Sequence, residues 1–171
     1  MPIKDHPCFL PPPPNATLWR YIDLGRFLAL LSTSSLHFTR SDKFEDKWEG
    51  AYTRPTYEEL KKAAESIAWN KSTSEYFRRL PEMMKNMMFI NSWYESEHES
   101  AAMWSLYGNQ GSNIAIISDA KRLHDALFND DVEQSVFCGR VQYLDYEKEV
   151  IKLHSAAASH NAFNTFLRKR K

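Results

Sequence analysis

A change of period at Asp23 restricts the fold more than any other feature. Thr17-Leu18-Trp19-Arg20-Tyr21 is short, aromatic and bounded by proline and aspartate, the pattern of a strand. From Leu24 the apolar residues Leu24, Phe27, Leu28 and Leu31 recur at the spacing of one helix face, and Asp23 stands where that helix needs a cap. The serine-rich residues 32–35 end the helix, and Leu36-His37-Phe38-Thr39 alternates like a second strand. A strand–helix–strand opening predicts an α+β protein: a small mixed or antiparallel sheet with several flanking helices.

The rest of the chain reads in the same way. Thr56 with Glu59, Ser72 with Glu75, and Ser96 with Glu99 have the capping-box spacing that opens helices. The last of these precedes Met103, Trp104 and Tyr107, and Gly108 and Gly111 stop that helix. Strands are predicted over Met88–Trp93, over Asn113–Ile117 and, with a bend at Gly139, over Val132–Leu144. Ala120–Phe128 and Tyr146–Lys171 are expected to be helical. Pro11 to Pro14 cannot donate backbone hydrogen bonds, which makes residues 1–16 an extended N-terminal arm. Residues 17–171 then form one domain, long enough to bury a core without metal or disulfides.

Charge and motif content narrow the function. Lys plus Arg and Asp plus Glu number 22 each, so no net field draws the chain to nucleic acid. The basic run Arg168–Lys171 reads as a solvated helix end, where cations complement the dipole. Cys8 and Cys138 lack any CxxC spacing, and neither an apolar leader nor a membrane-length apolar run occurs; a reducing cytoplasm and no membrane partner are expected. The nucleophile-elbow, zinc-hydrolase, P-loop and dinucleotide motifs are all missing.

The candidate site residues are polar or aromatic groups in unusual settings. Arg20 lies inside an apolar strand, where a guanidinium either reaches solvent or meets an anion: a carboxylate of the chain, or the phosphate or carboxylate of a ligand. Asp46 and Glu49 share a loop with Phe44 and Trp48, as loop anchors or as ligands for a sugar hydroxyl or a cation. Ser92, Trp93, Trp104 and Tyr107 belong to one strand–helix unit that either walls a pocket for a flat ring or contributes to the core, with Trp104 favoured for the core. His98, within Glu95-Ser96-Glu97-His98-Glu99, reads as part of an acidic helix N-terminus, and no metal is expected.

Three segments in order, Leu18-Trp19-Arg20-Tyr21, Phe44-Glu45-Asp46-Lys47-Trp48-Glu49-Gly50 and Met103-Trp104-Ser105-Leu106-Tyr107, are followed by Gly111, the Ile114–Ile117 strand and Val141-Gln142-Tyr143. This order resembles the bacterial and phage family catalogued as domain of unknown function 2971, over about residues 17–146. The chain departs from that family in having Glu45-Asp46-Lys47 where members carry Asn-Asp-Pro, so only Asp46 and Glu49 carry over. It also stops at Phe166–Lys171, as though cut before the Glu-x-Glu-x-Arg strand of the family.

The opening with an arginine on the first strand is similar, too, to ADP-ribosyltransferase-like folds. That likeness implies NAD as ligand, Arg20 on its pyrophosphate, Ser92 in the supporting role, and Tyr107 or Trp48 stacked on the nicotinamide. The glutamate that orients the ribose would fall in the missing segment, leaving a chain that binds without turning over. The alternatives are a non-catalytic module of a defence or mobile-element system that binds a nucleotide or a protein, and a metal-dependent nuclease using Asp46 and Glu49, against which the neutral charge argues.

Overall fold

The computed structural model describes residues 6, 9–46, 48, 50–66, 79, 83, 85–107, 112–127, 136–151 and 168–170. The chain groups into two compact units. One is built mainly from Pro11–Phe38 and Asn91–Cys138; the other takes His6–Leu10, Thr39–Ile90 and Gly139–Lys171. Helices and small, mostly antiparallel sheets make this an α+β fold, as the opening of the sequence predicts.

The first unit is organised on a three-stranded sheet with β1 (Thr17–Asp23) in the centre. Strand β5 (Asn113–Asp119) runs antiparallel along the whole of β1, from Thr17 opposite Asp119 to Asp23 opposite Asn113. On the other edge β4 (Tyr94–Glu95) sets Tyr94 opposite Trp19. Side chains alternate across a strand, so Leu18, Arg20 and Ile22 share one face and Trp19 and Tyr21 the other. Leu18, Ile22 and Tyr21 are buried.

Both long strands end in a capping aspartate. Asp23 Oδ1 accepts from the Arg26 N–H at 2.8 Å and opens α1 (Leu24–Thr33). Asp119 Oδ1 accepts from the Arg122 N–H at 2.7 Å and opens α4 (Ala120–Leu127). Helix α1 ends at Ser34, which takes the left-handed conformation (φ 48°) that glycine more often fills. Its apolar repeat is present but turned: Leu24, Leu28 and Leu31 lie exposed, and Phe27 and Leu30 are half-buried. The proline arm is tied down at its end, where Lys121 N–H donates to Pro14 O at 2.9 Å.

Helix α3 (Ala101–Tyr107) lies against the Tyr21 face, with the Trp104 ring edge-on to Tyr21 at 4.9 Å. Its cap is Ser100, whose Oγ accepts from the Met103 N–H at 3.3 Å, and not Ser96 of the predicted box. The Ser96 hydroxyl is used within its own turn, accepting from the His98 N–H at 3.1 Å.

In the second unit β2 (Thr39–Arg40) pairs with β3 (Phe89–Ile90), and β6 (Gln142–Leu144) runs parallel to β7 (Arg168–Arg170). A short 3₁₀ turn, Ser41–Lys43, follows β2. Helix α2 (Arg54–Ser66) begins before the predicted Thr56 cap; Thr53 precedes it, its Oγ1 facing the Thr56 N–H at 3.4 Å, and Pro55 falls in the first turn, where no N–H is needed. Thr53, Thr56, Tyr146 and Ile151 are buried together with Ser41.

Three expectations are corrected. Met88–Trp93 is not one strand: β3 ends at Ile90, β4 begins at Tyr94, and the two pair in different sheets. Of the long strand ending at Leu144, the described residues keep Gln142–Leu144 as strand, with an isolated bridge at Val136 in the piece before it. Arg168–Arg170 is strand and not a helix end; the hydrogen bonds of β6 outweigh the helical preference of a basic run. The helix predicted from Ser72 lies outside the described residues, as do Gly108 and Gly111.

Gly139 gives a first prediction. A Cβ there would stand 2.6 Å from Phe9 Cδ1 and 3.1 Å from Phe9 Cβ, and the neighbouring Arg140 N–H is held by Leu10 O at 2.8 Å. Gly139→Ala is expected to cost about 1–3 kcal/mol by overpacking, read from urea unfolding. Adding Phe9→Leu should recover part of the loss, and a simple sum of the two costs would exclude the clash as the cause.

Candidate functional site

Arg20 occupies the middle of the central strand, opposite Ile116 of β5, on the face that buries Leu18 and Ile22. These apolar neighbours leave the guanidinium half-buried. Its Nη1 donates to the carbonyl oxygen of Ser92, in the link between β3 and β4. An arginine has five N–H donors, and this carbonyl is the one hydrogen-bond partner of Arg20 among the described residues. Within its own unit, and among the described residues, Arg20 makes no ion pair.

The electrostatics match that geometry. Burial lowers the pKa of Arg20 from its ordinary value, the positive charge of Arg26 lowers it further, and Tyr107 acts in the opposite sense. Two cations thus stand within range of each other where one of them has lost part of its water. The guanidinium still remains protonated at any physiological pH. A partly desolvated cation with unused donors and a neutral carbonyl as partner is suited to receive an anion.

The other predicted residues divide between the units. Ser92 is in the Arg20 unit, but it contributes its backbone carbonyl, which any residue would supply. Beside it Asn91 donates through Nδ2 to His37 O at 2.7 Å, and its buried Oδ1 has no donor among the described residues. Trp104 is half-buried on Tyr21, and its Nε1 donates to the Glu99 carboxylate. The core role expected for Trp104 is therefore shared with a polar contact at its edge. Tyr107, at the end of the same helix, is 56% exposed.

Asp46 and Trp48 belong to the second unit. Asp46 Oδ1 accepts from the Trp48 N–H at 2.9 Å, which is the loop-anchor role, and Trp48 sets its ring edge-on to buried Tyr146 at 5.9 Å. The Asp46 charge acts on Tyr146 and on Lys169 of β7. Burial raises the Tyr146 pKa, with Asp46 adding to it; burial lowers that of Lys169, which Asp46 opposes. Glu49 lies outside the described residues. Among the described residues no three His, Cys, Asp or Glu side chains gather to hold a metal ion.

Two participants escaped the sequence reading. Arg26 was legible as the third helical residue after a capping aspartate, six positions beyond Arg20. Lys169 was not, because a basic run gives no sign of which member turns toward the protein.

No family model matches this chain, and neither a curated protein nor a solved structure matches it. No helix among the described residues is long and apolar enough to cross a membrane. The site defined here is thus a half-buried arginine on the central strand of a small α+β sheet, held by the Ser92 carbonyl.

Proposed function

We propose that this protein is an NAD-binding, ADP-ribosyltransferase-like domain of the bacterial and phage family its residue pattern resembles, acting in the cytoplasm, with Arg20 as receptor for the ligand's phosphates. The observation that carries this reading is the state of Arg20: half-buried, with a neutral carbonyl as its described partner and no ion pair in its unit among the described residues. Tyr107, exposed at the end of α3, supplies the ring face for the nicotinamide in this reading.

Transfer from NAD breaks the bond between the nicotinamide nitrogen and ribose C1′. The nicotinamide leaves with the electron pair, and an acceptor forms the new bond to C1′. Positive charge grows on the ribose, so the reaction calls for a carboxylate beside it. Arg20 and Tyr107 fit the binding part of this scheme. The second reading is a module that binds the nucleotide through the same Arg20 without consuming it.

Thermal shift and calorimetry with NAD and ADP test the binding claim. Both nucleotides should stabilise the protein, and Arg20→Ala should weaken them about 10- to 100-fold, the worth of a charge-assisted hydrogen bond. Arg20→Lys should recover only part, since an ammonium lacks the fork. Undiminished binding by Arg20→Ala sinks the proposal. Free nicotinamide released on incubation separates the two readings: release supports transfer, and binding without release supports the module.

A further inference from the structure

We propose that the outer edge of β5 is a dimer interface, where a second copy of this chain adds its own β5 antiparallel to the first. The two sheets then join into one, with β4 at either end.

The bonds at both ends of β5 show which way its backbone groups point. Ala120 N–H donates to Ala16 O at 3.2 Å, and Leu24 N–H donates to Ser112 O at 2.9 Å. In an antiparallel ladder each residue turns its N–H and C=O to one side, and the side alternates along the strand. Ile114, Ile116 and Ser118 therefore bond to Ile22, Arg20 and Leu18 of β1. Ser96 N–H, on the β4 side, donates to Thr17 O at 3.1 Å, the phase this requires. Ala115 and Ile117 turn their groups to the outer side. There, among the described residues, no strand pairs with β5 and neither residue has a hydrogen bond.

Exposed edges of this length invite pairing, and proteins usually protect them with lysine, proline or a bulge. Strand β5, Asn-Ile-Ala-Ile-Ile-Ser-Asp, has no lysine, arginine or proline, and its register with β1 is unbroken. The Ile117 side chain is 58% exposed. The same strand is a fitting partner for this edge. Antiparallel pairing about a twofold axis at Ile116 sets Ala115 opposite Ile117 of the second copy, and each exchanges both backbone groups with the other. The large exposed side chain thus lies beside a small one, and Ile116 meets Ile116 at the axis as a close pair without hydrogen bonds. Asn113 falls opposite Asp119, so no like charges meet. The two Arg20 positions share a face but stand three strand spacings apart, about 14 Å, beyond the screening length of about 8 Å. Assembly stops at two copies, because the edge left outside is β4, whose two residues are too few to template another strand.

Sedimentation equilibrium of the full chain tests the interface. The parent should dimerise with a Kd of about 1–100 μM, the range of a small contact. Ile117→Lys places a charge at an already exposed position and should weaken the dimer at least about tenfold, with the circular dichroism unchanged. Leu28→Lys, on the exposed face of α1, should leave the dimer intact. Disulfide trapping reads the register in a chain carrying Cys8→Ser and Cys138→Ser. Ile116→Cys should cross-link two copies in air, since the Cα atoms of such an axial pair lie about 4.5 Å apart. Ile114→Cys, which faces Ser118 of the second copy, should not. A cross-link at one position and not the other is a gain that misfolding does not produce. A parent that stays monomeric to about 100 μM overturns the proposal. A dimer lost in Leu28→Lys but kept in Ile117→Lys also overturns it and assigns the contact to α1. Equal cross-linking by both cysteine variants overturns it as well, since that indicates random collision.

Discussion

Tyr21→Ala is expected to destabilise the sheet unit by about 3–5 kcal/mol, the usual cost of removing a buried aromatic ring. Tyr21 is 6% exposed and ties β1 to α3. Its ring meets the edge of Trp104 at 4.9 Å and lies nearly parallel to Trp19 at 6.2 Å. Its hydroxyl accepts from the Ser100 N–H at 3.2 Å, next to the start of α3. The alanine variant leaves a cavity between β1 and α3 and strands that N–H. Tyr21→Phe isolates the second effect and should cost only about 1 kcal/mol. Urea unfolding followed by tryptophan fluorescence reads both, and hydrogen exchange at the β1 and β5 amides locates the loss. An alanine variant within about 1 kcal/mol of the parent would show that α3 is not held by this ring. Against a total stability of about 5–15 kcal/mol, the expected loss is large.

In the second unit the largest effect should come from Thr56→Val, at about 2–4 kcal/mol. Thr56 is 1% exposed, and its hydroxyl takes the Ile151 N–H at 2.7 Å while sharing a 2.6 Å bond with Thr53, itself fully buried. Valine has the same shape but no oxygen, so the Ile151 N–H remains in the interior without its partner and the Thr53 hydroxyl is left with the N–H of residue 56 at 3.4 Å. The cost is that of an orphaned N–H and a weakened hydroxyl and not that of lost packing. Thr56→Ser retains the oxygen and should recover most of the stability, leaving only the loss of a methyl group. Urea unfolding of both variants decides the matter; a serine variant as damaged as the valine one would assign the effect to packing.

The sequence disclosed those elements whose two ends are both marked. Strand β1 with α1, and β5 with α4, were readable because a run of strand-forming residues ends in an aspartate and a helical period follows; the observed bonds from Asp23 and Asp119 are the chemistry behind that sign. Where a mark was ambiguous the reading slipped. Thr53 and Thr56 both carry a capping side chain, and so do Ser96 and Ser100; tertiary contacts chose between them, through the Thr56 bond to Ile151 in one case and the Tyr21 bond to Ser100 in the other. Met88–Trp93 has the composition of one strand but not the pairing, because its two ends find partners in separate sheets. Such pairing is decided far along the chain, and local composition does not contain it.

For the site, the sequence pointed to Arg20 correctly as a charge in an apolar setting, and the half-buried guanidinium follows from Leu18 and Ile22 on either side of it. It could not show that the Ser92 backbone would be the partner in place of the hydroxyl, since carbonyl directions leave no trace in residue identity. It also gave no reason to separate Asp46 and Trp48 from Arg20, though contacts place them in the other unit.

That grouping bears on how the gene can be divided. Because the Arg20 unit takes its strands from Pro11–Phe38 and again from Asn91–Cys138, no single cut yields it whole. A shortened gene stopping near Ile90 would encode β1 stripped of β5, its full-length neighbour. Thr39–Ile90 behaves as an insert within a host, and excision with religation, rather than trimming from either end, is the operation that would keep that host's strands together.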